Sequence, residues 1–398
     1  MTAAKYQSSK TVRTLYVAFE LGWGKWKLAF GTGPADNPRL RAVDGRDRAR
    51  VLGEIAAAKT KFGLPANAAV VCCYEAGRDG HWLHRFLSAQ PGVTCHEVDS
   101  SSIEVNRRQR RAKSDRLDAA KLLSMLIRYE SGDKNTWRVV HVPSPEAEAQ
   151  RHLHRELEDW QDQRRQHSNR IKGLLATLGH DVQVDEDFPR QLEGLRDWCD
   201  SPAPEELKAR LLRQYEGWQF ADRMVRELET QRSQTIRAGS EPCQELVRQL
   251  LALKGIGAAS AWLFAMEVFG WRKIKNRREV GSLAGLTPTP YASGSSSREQ
   301  GISKAGNRRL RAMALEIAWC WVRYQPNSEL TLWFLKRFGS GKRLRKIGIV
   351  AVARKLLVAL WKYLEHGEIP KGAELVDWRK KQIPGRRQAP MAVARGAG

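Results

Sequence analysis

The chain is short of acid. Its 398 residues hold 44 Asp and Glu against 68 Lys and Arg, a formal net charge of +24 and a pI near 10.1. An excess of that size favours a polyanionic partner, with a merely soluble or ribosomal-type basic protein as the bland alternative. Long apolar runs are missing too. No stretch of 18 or more apolar residues occurs, which excludes a membrane-spanning helix, and Met1 to Arg13 has no apolar signal core. The six cysteines show no Cys-x-x-Cys spacing, and Cys72 and Cys73 stand side by side in an apolar run. That argues against structural zinc and against a disulfide framework, and fits a reducing cytosol. No Gly-x-x-x-x-Gly-Lys-[Ser/Thr] phosphate loop is present.

What is there suffices for a folded protein. The hydrophobic fraction is 42%, a little under the usual globular range, so disorder is not the default, and the length suits two or three domains. Residues 1–140 read as α/β. Residues 15–20 are strand-like, with 26–30 as a hairpin partner, and a helix is expected over 46–62. The continuous apolar run 68–74 fits a buried strand, followed by a helix over 80–89 and a strand over 93–98. Such alternation predicts a central sheet with covered faces. Ser114 begins another helix, whose apolar stripe is Ala119, Leu122, Leu123, Leu126 and Ile127. Asp115 and Asp118 extend that stripe by one turn, toward the sheet.

Residues 141–240 are expected to be helical. Ser144-Pro145 is a cap-and-proline start for a long polar helix reaching Gly179, and a second helix is predicted over 204–238. Together they read as a helical hairpin or coiled coil, packing on itself or serving as an oligomerisation arm. Residues 241–385 are again compact and mostly helical. There Leu253-Lys254-Gly255-Ile256-Gly257 has the form of a helix-hairpin-helix turn, able to approach a phosphate or to act as a plain glycine turn. Residues 386–398, rich in Arg, Ala and Gly, read as a disordered basic tail.

Two groups of residues point to chemistry. Glu20 and Glu75 end predicted strands, while Asp115 and Asp118 lie one helical turn apart. Four acids beside apolar runs are costly to bury without a cation, and several converging hard oxygen ligands suit Mg2+. Each alone could be a cap or an ion-pair partner. The run before the aspartates, with Arg107, Arg108, Arg110, Arg111 and Lys113, suits phosphates. His81 and His84 are read as a helix-surface pair. The second group is Tyr291-Ala292-Ser293-Gly294-Ser295-Ser296-Ser297-Arg298, which Pro288, Pro290 and Gly294 mark as a loop. Its hydroxyls are candidate nucleophiles, Tyr291 included, and spacing does not choose among them. Arg298, Lys304, Asn307, Arg308 and Arg309 offer phosphate contacts around a helix start.

With these residues in view, the chain resembles the DEDD-type transposases of bacterial insertion sequences, the bridge-RNA-guided serine recombinases. The likeness runs from about Thr14 to about Glu365. It rests on Lys113-Ser114-Asp115-Arg116-Leu117-Asp118-Ala119, on Leu283-Ala284-Gly285-Leu286-Thr287-Pro288 through Tyr291-Ala292-Ser293-Gly294, on Ser303-Lys304-Ala305-Gly306-Asn307, and on Gly255-Ile256-Gly257. The resemblance implies an RNase H-like (RuvC-like) mixed-sheet domain, a coiled-coil segment and a C-terminal transposase domain with a reactive serine. It places the four acids at Glu20, Glu75, Asp115 and Asp118 and the nucleophile at Ser293. It further implies Mg2+, double-stranded donor and target DNA, a structured guide RNA, and a homo-oligomer (a dimer, or a tetramer in the synaptic complex). The setting implied is the bacterial cytoplasm, nucleoid-associated when acting. Glu20 departs from the family's usual aspartate, and Lys254 from its usual proline. Two other classes use the same features: a RuvC-like hydrolytic nuclease or junction resolvase, and a non-catalytic nucleic-acid-binding protein.

Overall fold

The computed structural model describes residues 13–103, 115–293, 296–339 and 341–381, with the backbone alone over 291–300. The basic run at 107–113 and the tail at 386–398 lie outside the described residues. The chain forms two compact units, 1–143 and 144–398.

The first unit is built on one five-stranded sheet. Its strands are β1 (Leu15–Leu21), β2 (Lys25–Gly31) and β3 (Arg39–Asp44), then, after helix α1 (Arg48–Lys61), β4 (Val70–Glu75). Helix α2 (Trp82–Ser88), β5 (Val93–Val98) and helix α3 (Asp115–Glu130) complete it. The spatial order is β3-β2-β1-β4-β5. β1, β2 and β3 are antiparallel neighbours, whereas β4 runs parallel to both β1 and β5.

Alternation along the central strands decides which helix covers which face. Val17, Phe19, Cys72 and Tyr74 bury against α1 and α2, while Ala18, Ala29 and Cys73 bury against α3. The apolar stripe expected on α3 is buried throughout. β3 is absent from the sequence-based expectation. It is an edge strand whose residues are mostly charged or half-exposed, with Val43 its one fully buried side chain. Such edges carry little hydrophobic signal because charge there discourages further pairing.

The second unit is mostly helical. Ser144 caps α4 (Pro145–Ala149) by accepting from the Ala147 amide. The chain does not continue as one helix to Gly179. At Arg151 the bonding tightens to an i→i−3 contact with Glu148, and the Arg151 side chain is buried over the Trp271 ring. Helix α5 (His152–Ala176) then starts afresh. After the short α6 (Phe188–Glu193) comes α7 (Glu205–Ala238). α5 and α7 pack antiparallel, since contacts that climb along one fall along the other. Trp160 meets Phe220 at 5.3 Å, and His167 meets Gln214 at 3.0 Å. Ile171 and Leu175 share a core with Leu211, Tyr215 and α6's Phe188, so the far end of this hairpin has its own small core.

The remaining elements form one larger core. They are α8 (Pro242–Ala252), α9 (Ala258–Phe264), α10 (Arg277–Leu283), the hairpin β6 (Pro288–Ser293) and β7 (Ser296–Ile302), α11 (Arg308–Tyr324), α12 (Glu329–Phe338) and α13 (Lys342–His366). Val247, Phe264, Trp321, Phe334 and Leu356 lie at its centre. The segment read as a serine loop is therefore an antiparallel hairpin, with Ser293 opposite Ser296. Pro288 and Pro290 are tolerated because a two-stranded ribbon has open edges, and the pairing shifts register between them. No helix among the described residues is long and apolar enough to cross a membrane.

Candidate functional site

Glu20 and Glu75 reach one cleft because of strand parity. Glu20 continues the alternation of Tyr16 and Ala18, and Glu75 that of Val71 and Cys73, so both leave the sheet on the α3 face. β1 and β4 are parallel neighbours with Phe19 beside Tyr74, which brings the next residues of each strand together at their C-terminal ends. Both glutamates line a cleft of about 160 Å3 with Leu21, Tyr74 and Asp79. Helix α3 runs back along the sheet from this end. The Cys73 thiol lies 3.9 Å from the Leu122 carbonyl, and Leu123 and Ile127 lie against Gly31, the partner of Tyr16 at the start of β1. The first turn of α3, with Asp115 and Asp118, therefore stands at the glutamate end. These aspartates do not line the cleft itself.

Among the described residues, no three His, Cys, Asp or Glu side chains converge into a closed metal cage. The donors present are nonetheless of the kind Mg2+ takes. That ion commonly uses one or two carboxylates and completes its shell with water and substrate phosphate. Glu75 is exposed and makes no hydrogen bond or ion pair with any described side chain.

Asp79, which the sequence reading passed over, is the third acid of the cleft. Its side chain is buried and already paired: Arg46 reaches it at 2.6 Å while lying over the Trp23 ring at 4.7 Å. It thus anchors the turn that follows Glu75. The signal for it was an acid inside the glycine-rich stretch Ala76-Gly77-Arg78-Asp79-Gly80. Beneath that turn, Tyr74 donates its hydroxyl to buried Glu97 at 2.9 Å, and His81 Nδ1 lies 2.8 Å from the same oxygen. Burial and then the Glu97 charge push the Tyr74 hydroxyl well above its ordinary range. His81 is therefore held by the core, whereas the sequence suggested a surface pair with His84.

In the second unit the two sequence motifs around the hairpin are packed on one another. The Lys304 amide donates to the Gly285 carbonyl at 3.0 Å, and the Asn307 amide to Leu283 at 2.8 Å. Thr287 and Ser303 exchange a further bond at 3.1 Å between their hydroxyls. Gly306 has φ +132°, and a Cβ there would collide with the Leu283 and Ser282 carbonyls. The motifs form the frame from which β6 and β7 project, carrying Ser293 and Arg298 on the hairpin arms. Asn307 caps α11 through Leu310 and also donates its side-chain amide to Glu267 at 3.2 Å.

Glu267, also unforeseen, sits in a π-helical turn (Ala265–Phe269) and is buried. His154 lies 2.9 Å away, and Arg155 donates to both of its oxygens. Burial alone would raise this carboxyl, yet the bonds from His154 and Arg155 bring it down to about 2. Arg308 lines a cavity of about 600 Å3 beside the α11 start, while Arg309 is paired with Glu158 at 2.6 Å.

The glycine turn between α8 and α9 is strongly braced. Gly255, at φ +88°, fits closely against the Cys320 carbonyl and Tyr324. Lys254 is paired with Glu374 at 2.6 Å, and its carbonyl accepts from Gln325 at 2.9 Å. Lys381 donates to the Leu253 and Ile256 carbonyls at 3.0 and 2.9 Å. Gly257 begins α9.

Residues 247–331 match the family described as Transposase IS116/IS110/IS902 family. Over 373 residues the chain is 37% identical to "Putative transposase y4rJ" of Sinorhizobium fredii, covering 90% of this chain and 94% of that protein. It is 29% identical over 261 residues to a second protein of that organism, "Putative transposase y4qE", covering 65% of this chain and 60% of the other. It is also 28% identical over 128 residues to "Transposase for insertion sequence element IS1328" of Yersinia enterocolitica, covering 31% of this chain and 37% of that one. Since the first of these alignments spans nearly both chains, the chain belongs to the IS116/IS110/IS902 family of transposases.

Proposed function

We propose that this chain moves an insertion sequence by exchanging DNA strands through a serine–phosphate intermediate, with a structured RNA choosing the sites. The observation that carries the reading is the cleft shared by Glu20 and Glu75 at the ends of two adjacent parallel strands, with the α3 aspartates at the same end. A sheet ordered β3-β2-β1-β4-β5 with helices on both faces supports an RNase H-like, RuvC-like domain.

In this reading Glu20 and Glu75, with Asp115 and Asp118, would hold Mg2+. When bound, the ion neutralises charge building on the phosphate oxygens. Ser293 Oγ loses its proton and bonds to phosphorus. The bond from phosphorus to one deoxyribose oxygen breaks, and that oxygen leaves as a hydroxyl. A hydroxyl end from the other duplex then attacks the phosphoserine, so the phosphodiester is remade and serine recovers its proton. No hydrolysis and no ATP are involved, in keeping with the lack of a phosphate loop. Arg298 and Arg308 are suited to steady the phosphate, and the excess positive charge suits a protein that handles DNA and RNA together. The α5–α7 hairpin, long and exposed along much of its length, suits assembly of protomers.

The test is to incubate the protein with its cognate RNA, Mg2+ and end-labelled donor and target DNA, and to seek a denaturant-resistant protein–DNA adduct. An adduct in the wild type that is lost in Ser293→Ala supports the reading. Cleavage without an adduct in either protein would replace it with hydrolysis by the carboxylates. Binding without cleavage by fully folded protein would leave only a nucleic-acid-binding role.

A further inference from the structure

The base of the serine hairpin borders a second feature, unrelated to the carboxylate cleft. A groove of about 1,080 Å3 is walled by α10, α12 and α13, with Pro288 and Ile302 of the hairpin at one edge. Its floor is apolar: Trp333 and Phe338 come from α12, and Ile347 and Val350 from α13. Ile347 is 54% exposed there.

The walls carry charge of one sign. Arg277 and Arg278 stand at the start of α10, and Arg337 near the end of α12. Arg343, Lys346, Arg354 and Lys355 stand along α13. Among the described residues, none of these seven side chains has a carboxylate within ion-pair distance, and none donates a hydrogen bond. By contrast, Arg155, Arg164, Lys254 and Arg309 are each paired with a carboxylate. Like charges three and four residues apart on one helix repel, so Lys342-Arg343-Leu344-Arg345-Lys346 weakens α13 unless an anion lies on it. The groove is therefore complementary to a polyanion.

We infer that the groove holds a single strand of DNA beside the serine hairpin. This rests on the strand-exchange reading above, in which duplex ends must be unpaired. Three observations favour that occupant. Seven cations without a carboxylate partner, of which Lys355 and Arg337 lie over the Trp333 and Phe338 rings, call for phosphates. An apolar floor with two aromatic rings suits exposed bases, which a duplex keeps stacked inside. Among the described residues the lining contains no Ser, Thr, Asn, Gln, Asp or Glu side chain, so none of them accepts from a ribose 2′-hydroxyl, a group by which proteins distinguish RNA.

The test uses the full-length protein and fluorescence anisotropy. The probes are a labelled single-stranded DNA of mixed sequence, the same sequence as RNA, and the corresponding duplex, each at several salt concentrations. The groove variant combines Arg343→Gln, Lys346→Gln and Lys355→Gln. A control combines Arg170→Gln, Arg210→Gln and Arg213→Gln on the α5–α7 hairpin, removing the same charge. Thermal melts establish that both variants are folded. The groove variant is expected to bind single-stranded DNA at least about tenfold more weakly, with a salt slope shallower by about two, as loss of three phosphate contacts requires. The control is expected to stay near wild type. Equal loss in both variants would overturn the proposal, because charge alone would then explain it. Equal loss for RNA or duplex would overturn the choice of occupant. The adduct assay reads Ser293 separately: selective loss of strand binding alongside failed adduct formation would keep the groove and remove the serine reading.

Discussion

Arg155 forks onto Glu267, with Nε 2.8 Å from one carboxylate oxygen and a terminal nitrogen 3.1 Å from the other. The pair ties the first turn of α5 to the π-helical turn after α9, and Asn307 joins the start of α11 to the same carboxylate. A buried carboxylate bonded by His154 and Arg155 of α5 and by Asn307 at the start of α11 acts as a fastener for the frame that carries the serine hairpin.

The first prediction concerns acid. Glu267 gives up its proton near pH 2 in the folded chain, against about 4.5 for an ordinary glutamate. Protons therefore bind the unfolded chain more readily, and acid favours unfolding. The stabilisation is complete above about pH 4.5 and disappears as pH falls toward 2. It is worth about 3 kcal/mol by linkage. Glu267→Gln is expected to cost a similar amount, about 3 kcal/mol at pH 7, by leaving Arg155 and His154 without their anion. Urea unfolding at pH 7 and pH 3 checks both, since the wild type should lose stability in acid more steeply than the variant.

Gly306 tests the frame itself. Its φ of +132° is open to glycine alone, and a Cβ would meet two carbonyl oxygens of the facing motif. Gly306→Ala is expected to destabilise the second unit by about 2–4 kcal/mol. Gly257→Ala, where nothing lies within reach and φ is extended, is expected to cost much less. Calorimetric melts of the two variants should separate them clearly. A small loss for Gly306→Ala would mean that the motifs can part without cost.

Lys381 gives a spectroscopic check on the glycine turn. Burial lowers its ammonium to about 8 while it donates to the Leu253 and Ile256 carbonyls. A lysine so placed is half neutral near pH 8, where ordinary lysines remain charged. Acetylation followed by mass spectrometry should give Lys381 a midpoint near pH 8, against about 10.4 for a free lysine side chain. A midpoint at the free-lysine value would mean that its two carbonyl contacts are not kept in solution.

The elements legible in the sequence were those with strong periodicity. The apolar runs of β1, β4 and β5 and the stripe of α3 could be placed because burial on a fixed face imposes a repeat. α7 was legible because its apolar positions recur over its 34 residues. β3 was hidden by its charged, exposed register, and the break before α5 by a buried arginine that no helical repeat anticipates. The serine segment looked like a loop because glycine and proline signal turns regardless of whether the flanks pair. Of the site, Glu20 and Glu75 were readable from their place at strand ends. Asp79 and Glu267 were not, because their partners Arg46 and His154 are distant in sequence, 33 and 113 residues away.

The same reasoning yields a last prediction, which separates structural from functional acids. Asp79 and Glu267 are paired by short contacts, so their loss should unfold or loosen the chain. Glu75 is exposed at the cleft and unpaired among the described residues, beside another carboxylate. Neutralising it removes repulsion and breaks nothing, so Glu75→Gln should leave the melting temperature unchanged or slightly raised, as is common when a functional acid is removed. Under the proposed mechanism strand cleavage should nonetheless fall by about 100-fold or more, because an oxygen donor proposed to hold Mg2+ has lost its charge. Asp79→Asn should show the reverse balance, with a clear drop in melting temperature. Melts and single-turnover cleavage on the two variants decide the matter. If Glu75→Gln destabilised the protein and spared cleavage, the cleft would be a structural feature and the active centre would lie elsewhere.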